Sequence, residues 1–235
     1  MSYQPLKFQD MPKICRLNKE VIVTEKLDGT NAQISIEAVP FHTIEHAAFD
    51  VTPDMLCISI QENGDHWILR AGSKNRFLTV ANDNFGFAKW TLDNTQELMK
   101  LGPGIHRGEW WGVGIQRGYG LSERRFSLFN VSRWGMSVDS AGRRQPLVDG
   151  QDLAPACCHV VPLLGSGTGF EGVEQGLGLL AANGSQAAPG FMEPEGIVIF
   201  HTGSGATFKA TIEDSGGKWK RLEVLEDEPV AGENL

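Results

Sequence analysis

Apolar positions along this chain recur mostly with a period of two. The runs VIVTEK (21–26), AQISIE (32–37), LCISIQ (56–61), HWILRA (66–71), IHRGEWW (105–111), FSLFNVS (126–132), GIVIFH (196–201) and ATFKATI (206–212) are short and separated by Gly, Asn and Asp. Their β-branched and aromatic residues predict strands. Two segments follow helical spacing instead: 85–101, where Phe87, Trp90, Leu98 and Leu101 share a face, and 171–182, where Val173, Leu177 and Leu180 do. Strands dominate, so the expected class is α+β, built on antiparallel β-sheets with a few flanking helices. Loops are expected over 40–53, 138–155 and the Gly/Ala-rich stretch 165–190 around the second helix. With no internal repeat and no clean linker, the chain is expected to form one domain over 1–235.

Its 235 residues, 41% of them hydrophobic, suffice for one sizeable core. No apolar run approaches the roughly 20 residues that span a bilayer. The first ten residues are polar and interrupted by Pro5, unlike a signal peptide, so a cytoplasmic protein without a membrane partner is expected. Cys15, Cys57, Cys157 and Cys158 show no C-x-x-C pairing, and the six His are isolated from one another. Reduced thiols and no His/Cys metal cluster are the expectation. A net charge of -8 argues against non-specific coating of nucleic acid, which is driven by counterion release. Some acid sits in the tail (Glu223, Glu226, Asp227, Glu228, Glu233). Arg107, Arg117, Arg124, Arg125, Arg133, Arg143 and Arg144 crowd the middle, so a local basic working face stays open.

Glu25-Lys26-Leu27-Asp28-Gly29-Thr30-Asn31 lies between two strand-like runs. One reading is a hairpin, since Asp-Gly is a favoured turn pair. The other comes from order and context. The run resembles motif I of the covalent nucleotidyltransferases, which include ATP-dependent DNA ligases, RNA ligases and mRNA capping enzymes. Arg70-Ala71-Gly72 with Asn84-Phe85-Gly86-Phe87 is similar to the Arg-containing segment that follows in the RNA ligase 2-like group. His106-Arg107-Gly108-Glu109-Trp110-Trp111-Gly112 resembles motif III and Phe126-Ser127-Leu128-Phe129-Asn130 motif IIIa. Glu195-Gly196-Ile197-Val198 resembles motif IV and Thr207-Phe208-Lys209-Ala210 motif V.

The resemblance implies an ATP-grasp-like ligase adenylation domain in which Lys26 attacks ATP and carries AMP. AMP would pass to a 5′-phosphate end, and a 3′-hydroxyl would displace it to seal RNA ends or nicks, or an RNA/DNA hybrid. An amine attacks only when deprotonated, and a free lysine with pKa about 10.4 is almost wholly charged at neutral pH, so such a site must favour the neutral amine. Lys209 as a second cation and a Mg²⁺ or Mn²⁺ bound with the triphosphate would do so. Lys209 is equally readable as a strand-edge lysine. Arg70 and Lys209 fit the phosphates, the arginine through its planar fork. Glu109 fits the ribose hydroxyls, or is a solvated carboxylate at a strand end. Phe129 could stack on adenine, although an alternating strand would also bury it. Glu195, with Asp28 as the weaker candidate, fits the metal, because phosphate-bound Mg²⁺ takes one or two carboxylates. Glu25 belongs to the same nucleotide-binding set. Asn31 matches an asparagine that contacts phosphate or the incoming end.

Two positions depart from the pattern: Asn130 stands where motif IIIa usually ends in aspartate, and Thr211 where motif V usually offers a second lysine. Lys218 or Lys220 could replace that charge. Only about two dozen residues follow motif V, too few for an OB-fold or a helical C-terminal domain, so strand gripping is expected to be minimal or to need a protein partner. A monomer is expected. A small ATP-dependent DNA ligase, or a nucleotide-binding module that has lost catalysis, remain the alternatives.

Overall fold

The computed structural model describes residues 8, 10, 11, 13–46, 50–138, 144–146 and 153–212. In chain order the elements are β1 (Glu20–Lys26), β2 (Thr30–Val39), α1 (Phe41–His46), β3 (Cys57–Ile60), β4 (His66–Ser73), α2 (Phe87–Asp93), α3 (Thr95–Leu98), β5 (Gly104–Gly112) and β6 (Arg124–Leu128). They continue with α4 (Val131–Trp134), β7 (Met136–Val138), β8 (Arg144–Pro146), β9 (His159–Val160), β10 (Leu163–Thr168), α5 (Glu171–Asn183), β11 (Gly196–His201) and β12 (Ala206–Thr211). Two main sheets result. The first runs β10-β1-β11-β12 and the second β3-β4-β2-β5-β6-β9, with β7-β8 apart as a two-stranded ribbon. All neighbours are antiparallel except β6 and β9. The protein is thus of the α+β class, with few helices.

Alternation along the strands sets what each sheet presents. On β2, Ala32, Ile34 and Ile36 join the core beneath the six-stranded sheet, where Phe87, Ala88 and Leu98 of α2 and α3 meet them. Asn31, Gln33 and Ser35 therefore face the other way. The Phe87 ring lies 5.3 Å from Trp110 and 5.2 Å from Phe126, so α2 is clamped under β5 and β6. On β1, Val21 and Val23 pack with Leu164 and Leu180 under α5. Ile22 belongs instead to a cluster between the two sheets with Leu27, Trp111 and Tyr119. Among the described residues no helix is long and apolar enough to cross a membrane.

Several sequence expectations change here. The single helix over 85–101 divides into α2, α3 and a 3-10 turn at Met99–Leu101, because Asn94 ends α2 and its Nδ2 donates to the Trp90 carbonyl (2.8 Å). FSLFNVS is a strand only as far as Leu128. There Asn130 takes over as the N-cap of α4, its Oδ1 accepting from the Arg133 amide at 3.1 Å. The expected loop 40–53 contains α1, and 138–155 contains β8. The expected loop 165–190 opens on the second half of β10, an edge strand invisible to hydrophobic patterning because its contact with α5 uses glycine. A Cβ on Gly165 would stand 2.8 Å from the Gly172 carbonyl oxygen, so the close approach of helix and strand needs the bare backbone. The helix over 171–182 is present as α5. All four cysteines are free thiols, Cys158 buried and Cys15 exposed.

Candidate active site

A cavity of about 790 Å³ opens where the two sheets face each other. One wall is the four-stranded sheet. Register places Lys26 opposite Gly196, and Thr24, Val198 and Lys209 side by side across β1, β11 and β12. Lys209 therefore reaches the same space as Lys26 from two strands away. The other wall is the six-stranded sheet, where Asn31 on β2 pairs with Glu109 on β5. Phe129, which follows β6, lines the cavity and is 42% exposed, so its ring is open to a ligand and not sealed in the core.

The Glu25–Asn31 run is not a hairpin, because β1 and β2 belong to different sheets and do not pair. Leu27 is buried between the sheets. The Asp28 amide donates to the Tyr119 hydroxyl at 2.8 Å, and Arg117 Nε donates to Asp28 Oδ2 at 3.0 Å while its Nη1 reaches the Glu193 carbonyl at 3.0 Å. A Cβ on Gly29 would lie 2.5 Å from the Trp110 carbonyl oxygen, so only glycine lets the chain pass this close to β5. The crossing is pinned on both sides, which fixes where Lys26 points. Tyr119 is 2% exposed, and burial holds its hydroxyl far above the usual phenol range. Tyr119→Phe strands the Asp28 amide, with an expected loss of about 1–2 kcal/mol. Chemical denaturation of the variant against the native chain measures it.

The charges are few and enclosed. Lys26 Nζ forms an ion pair with Glu195 Oε1, the side chains being 22% and 16% exposed. Its charged partner is thus a carboxylate, while Lys209, the second cation that the sequence suggested, lines the same cavity. Glu195 Oε2 is buried and, among the described residues, has no hydrogen-bond partner. Glu109 is 8% exposed, and burial pushes its carboxyl up to about 7, against the opposing pull of the Lys26 charge and the Gly29 amide; Glu195 and Asp28 reinforce the rise. Glu25 is also raised by burial. Its Oε2 accepts from the Gln186 and Ala187 amides (2.8 and 3.0 Å), tying β1 to the segment after α5, and the Ser185 side chain also lies against the carboxyl and eases the rise.

Of the residues singled out in the sequence, Glu25, Lys26, Asn31, Glu109, Phe129 and Lys209 line one cavity, and Glu195 joins them through Lys26. Arg70 does not line it. Its guanidinium is held by Glu37 Oε2 (2.6 Å) and Asp54 Oδ2 (2.9 Å), which satisfy the charge that was expected to meet phosphate. Asp28 is engaged by Arg117. Thr211 shares the face of Lys209 and pairs with Gly196, itself opposite Lys26, so a hydroxyl stands where the resemblance calls for a second lysine. Lys218 and Lys220 lie outside the described residues. Sequence reasoning missed Tyr119, whose only local signal was a Gly-Tyr-Gly turn, and counted Arg117 only among the arginines of a basic face. Among the described residues no group of three or more His, Cys, Asp or Glu is placed to hold a metal. The orphaned Glu195 oxygen beside the buried Glu109 fits instead a divalent cation shared with the phosphates of a ligand.

No family model matches the sequence, and no curated protein matches it. Solved structures of a Naegleria gruberi RNA ligase do show a likeness. A variant with ATP and Mn has a TM-score of 0.40 at 16% identity over 83% of this chain and 49% of that one. A variant with AMP and Mn gives a TM-score of 0.40 at 16% identity over 83% and 50%. The ligase with PPi gives 0.38 at 16% identity, again over 83% and 50%. This chain spans about half the length of those proteins. A likeness of this size says nothing about chemistry; the residues of the cavity do.

Proposed function

We propose that the protein is an ATP-dependent RNA ligase whose Lys26 becomes adenylated. One observation supports this reading above all. Lys26, Lys209, Glu109 and Phe129, drawn from four separate places in the chain, converge on a single cavity of about 790 Å³, within the range of small-molecule sites. That set supplies an amine nucleophile, a cation for phosphate, a buried carboxylate for ribose hydroxyls and an exposed ring for a base.

In the first step neutral Lys26 Nζ attacks the α-phosphorus, the bond from that phosphorus to the bridging oxygen breaks, and pyrophosphate leaves with the electron pair. A divalent cation held by Glu195 and Glu109 with the phosphates would supply charge neutralisation there. The Lys26–Glu195 ion pair holds the side chain in place. The proton that the nitrogen sheds on forming the P–N bond passes to water. Lys209 holds phosphate oxygens against the developing charge. In the second step an oxygen of a 5′-phosphate attacks the same phosphorus and the P–N bond breaks, returning the electron pair to Lys26. In the third, a 3′-hydroxyl attacks the 5′-phosphorus and AMP departs. The joining steps favour RNA ends or nicks by resemblance, and a panel of RNA, DNA and hybrid nicks separates them.

The test is direct. Incubated with α-labelled ATP and Mg²⁺ or Mn²⁺, the protein should acquire a label that survives denaturation and alkali and is lost in acid, as a phosphoramidate is. Mass spectrometry should place it on Lys26. Absence of label, or label elsewhere, overturns the proposal. A second reading, a nucleotide-binding module without joining activity, is favoured by Asn130, whose side chain is spent capping α4 where a carboxylate was expected. That module would bind ATP without taking up label.

A further inference from the structure

A second, smaller cavity of about 240 Å³ adjoins the first and shares Phe129 and Asn130 with it. It forms where β6 has ended and the Gly104–Arg107 stretch of β5 keeps only β2 as a strand neighbour. Arg107 and Arg133 stand in its wall, with no carboxylate. Arg107 is exposed, and among the described residues its guanidinium has no hydrogen-bond or ion-pair partner. It sits two residues before Glu109 on the same face of β5, paired with Gln33 as Glu109 is with Asn31. Arg133 is held in place: its Nη2 donates to the Leu101 carbonyl at 2.9 Å, and its guanidinium carbon lies 4.4 Å from the centre of the buried Trp134 ring. His106 adds no charge at neutral pH, since burial, with the Arg133 charge beside it, holds its imidazole below the usual range. The other arginines of the middle segment with described side chains are occupied. Arg117 binds Asp28, Arg125 binds Glu123, and Arg124 donates to the Val113 and Phe85 carbonyls.

We propose that this cavity takes an internal phosphate of the polynucleotide strand whose end enters the larger cavity, with Arg107 as its principal ligand and Arg133 as a preset second cation. Two guanidinium groups in one wall, Arg133 held and Arg107 free to turn onto a ligand, select an anion where no carboxylate opposes them, and their planar forks suit phosphate oxygens. The volume lies below the roughly 300 Å³ at which whole small-molecule ligands are usually held, so the site suits one group of a larger ligand. The shared Phe129 and Asn130 wall places that group beside whatever fills the adenylation cavity. A strand crossing from one to the other meets Arg107 and then Glu109 along a single strand face. The inference rests on the proposed function in naming a polynucleotide, and it locates strand contact within the described residues, without any further domain.

The experiment measures binding of a fluorescent, 5′-phosphorylated RNA oligonucleotide to the full chain by anisotropy over a series of salt concentrations. Arg107→Ala should weaken binding by roughly tenfold and lower the slope of log affinity against log salt by about one, as expected when one phosphate contact is lost. Arg107→Glu should weaken it further and Arg107→Lys should recover most of it, while ATP labelling of Lys26 stays unchanged in all three. Normal labelling with strand affinity and salt slope unaffected by Arg107→Ala and Arg107→Glu overturns the phosphate site and leaves the ligase reading intact. Equal competition by polyglutamate of matched charge overturns the polynucleotide assignment. Arg107-dependent RNA binding in a protein that takes up no label supports this site and overturns the ligase reading alone.

Discussion

Lys26→Arg should lower formation of the adenylated protein by on the order of 10³-fold or more while leaving its stability within about 1 kcal/mol of the native chain. Arginine keeps the positive charge that pairs with Glu195 and tempers Glu109. It cannot become the neutral nucleophile that attack on phosphorus requires, because a guanidinium does not deprotonate in proteins. The variant therefore separates charge from chemistry, which Lys26→Ala does not. Alanine would leave the enclosed Glu195 and Glu109 without their cation, so lost activity could reflect lost structure. Single-turnover labelling with α-labelled ATP, alongside thermal unfolding, makes the measurement. Labelling within tenfold of the native rate would remove Lys26 from the role of nucleophile, and binding of ATP should change only severalfold.

Glu109→Gln should stabilise the nucleotide-free protein in alkali while weakening nucleotide binding. The folded carboxyl is raised to about 7 from an ordinary 4.5, because the 8%-exposed side chain charges only against desolvation. A raised value means the folded state holds its proton longer than the unfolded chain. No penalty exists below the unfolded value; it grows as pH rises from 4.5 towards 7 and is complete above that. The difference amounts to roughly 3 kcal/mol. Glutamine stays neutral throughout, so Glu109→Gln should gain up to about 3 kcal/mol at about pH 8 and almost nothing at about pH 4. At roughly 2–4 °C per kcal/mol for a chain of this size, the melting temperature at alkaline pH should rise by several degrees. Melting curves at the two pH values read the effect, and a gain equal at both would show that the carboxyl is not raised. The instability is confined to the apo state, because ribose hydroxyls or a shared cation would satisfy the charged form. A carboxylate kept costly until a ligand arrives is a mark of a binding site more than of a scaffold.

Local patterning was enough to place most of the elements. VIVTEK, AQISIE, HWILRA and GIVIFH each alternate or run apolar over a short span, and each is a strand, because burial against a pleated sheet demands that spacing. Failures came where local chemistry competed with the pattern. Asn130 stopped a strand that FSLFNVS promised, since its side chain offered a cap to α4. Gly165 hid a strand because the contact it serves needs absence of a side chain rather than an apolar one.

For the site the division is sharper. The residue types Glu25, Lys26, Glu109, Phe129, Glu195 and Lys209, and their order, stood in the sequence as the motifs that carry the family resemblance, and alternation alone would not have picked them out, since Glu25 and Lys26 are neighbours on one strand. Whether Asp28-Gly29 closes a hairpin or crosses between sheets could not be read there, since that depends on Tyr119, Arg117 and Trp110, some 80 to 90 residues away along the chain. The fate of Arg70 was equally invisible: only the folded sheet brings Glu37 and Asp54 to it and withdraws it from phosphate. Nor could charge count reveal that, among the described residues, Arg107 is left without a partner while Arg117, Arg124 and Arg125 are occupied, or that Lys26 rests against Glu195. Periodicity and residue chemistry are properties of neighbours in the chain, and these the sequence by itself determined. Pairing of charges and enclosure of a cavity are properties of neighbours in space, separated by loops whose paths no local pattern encodes, and only the tertiary structure decided them.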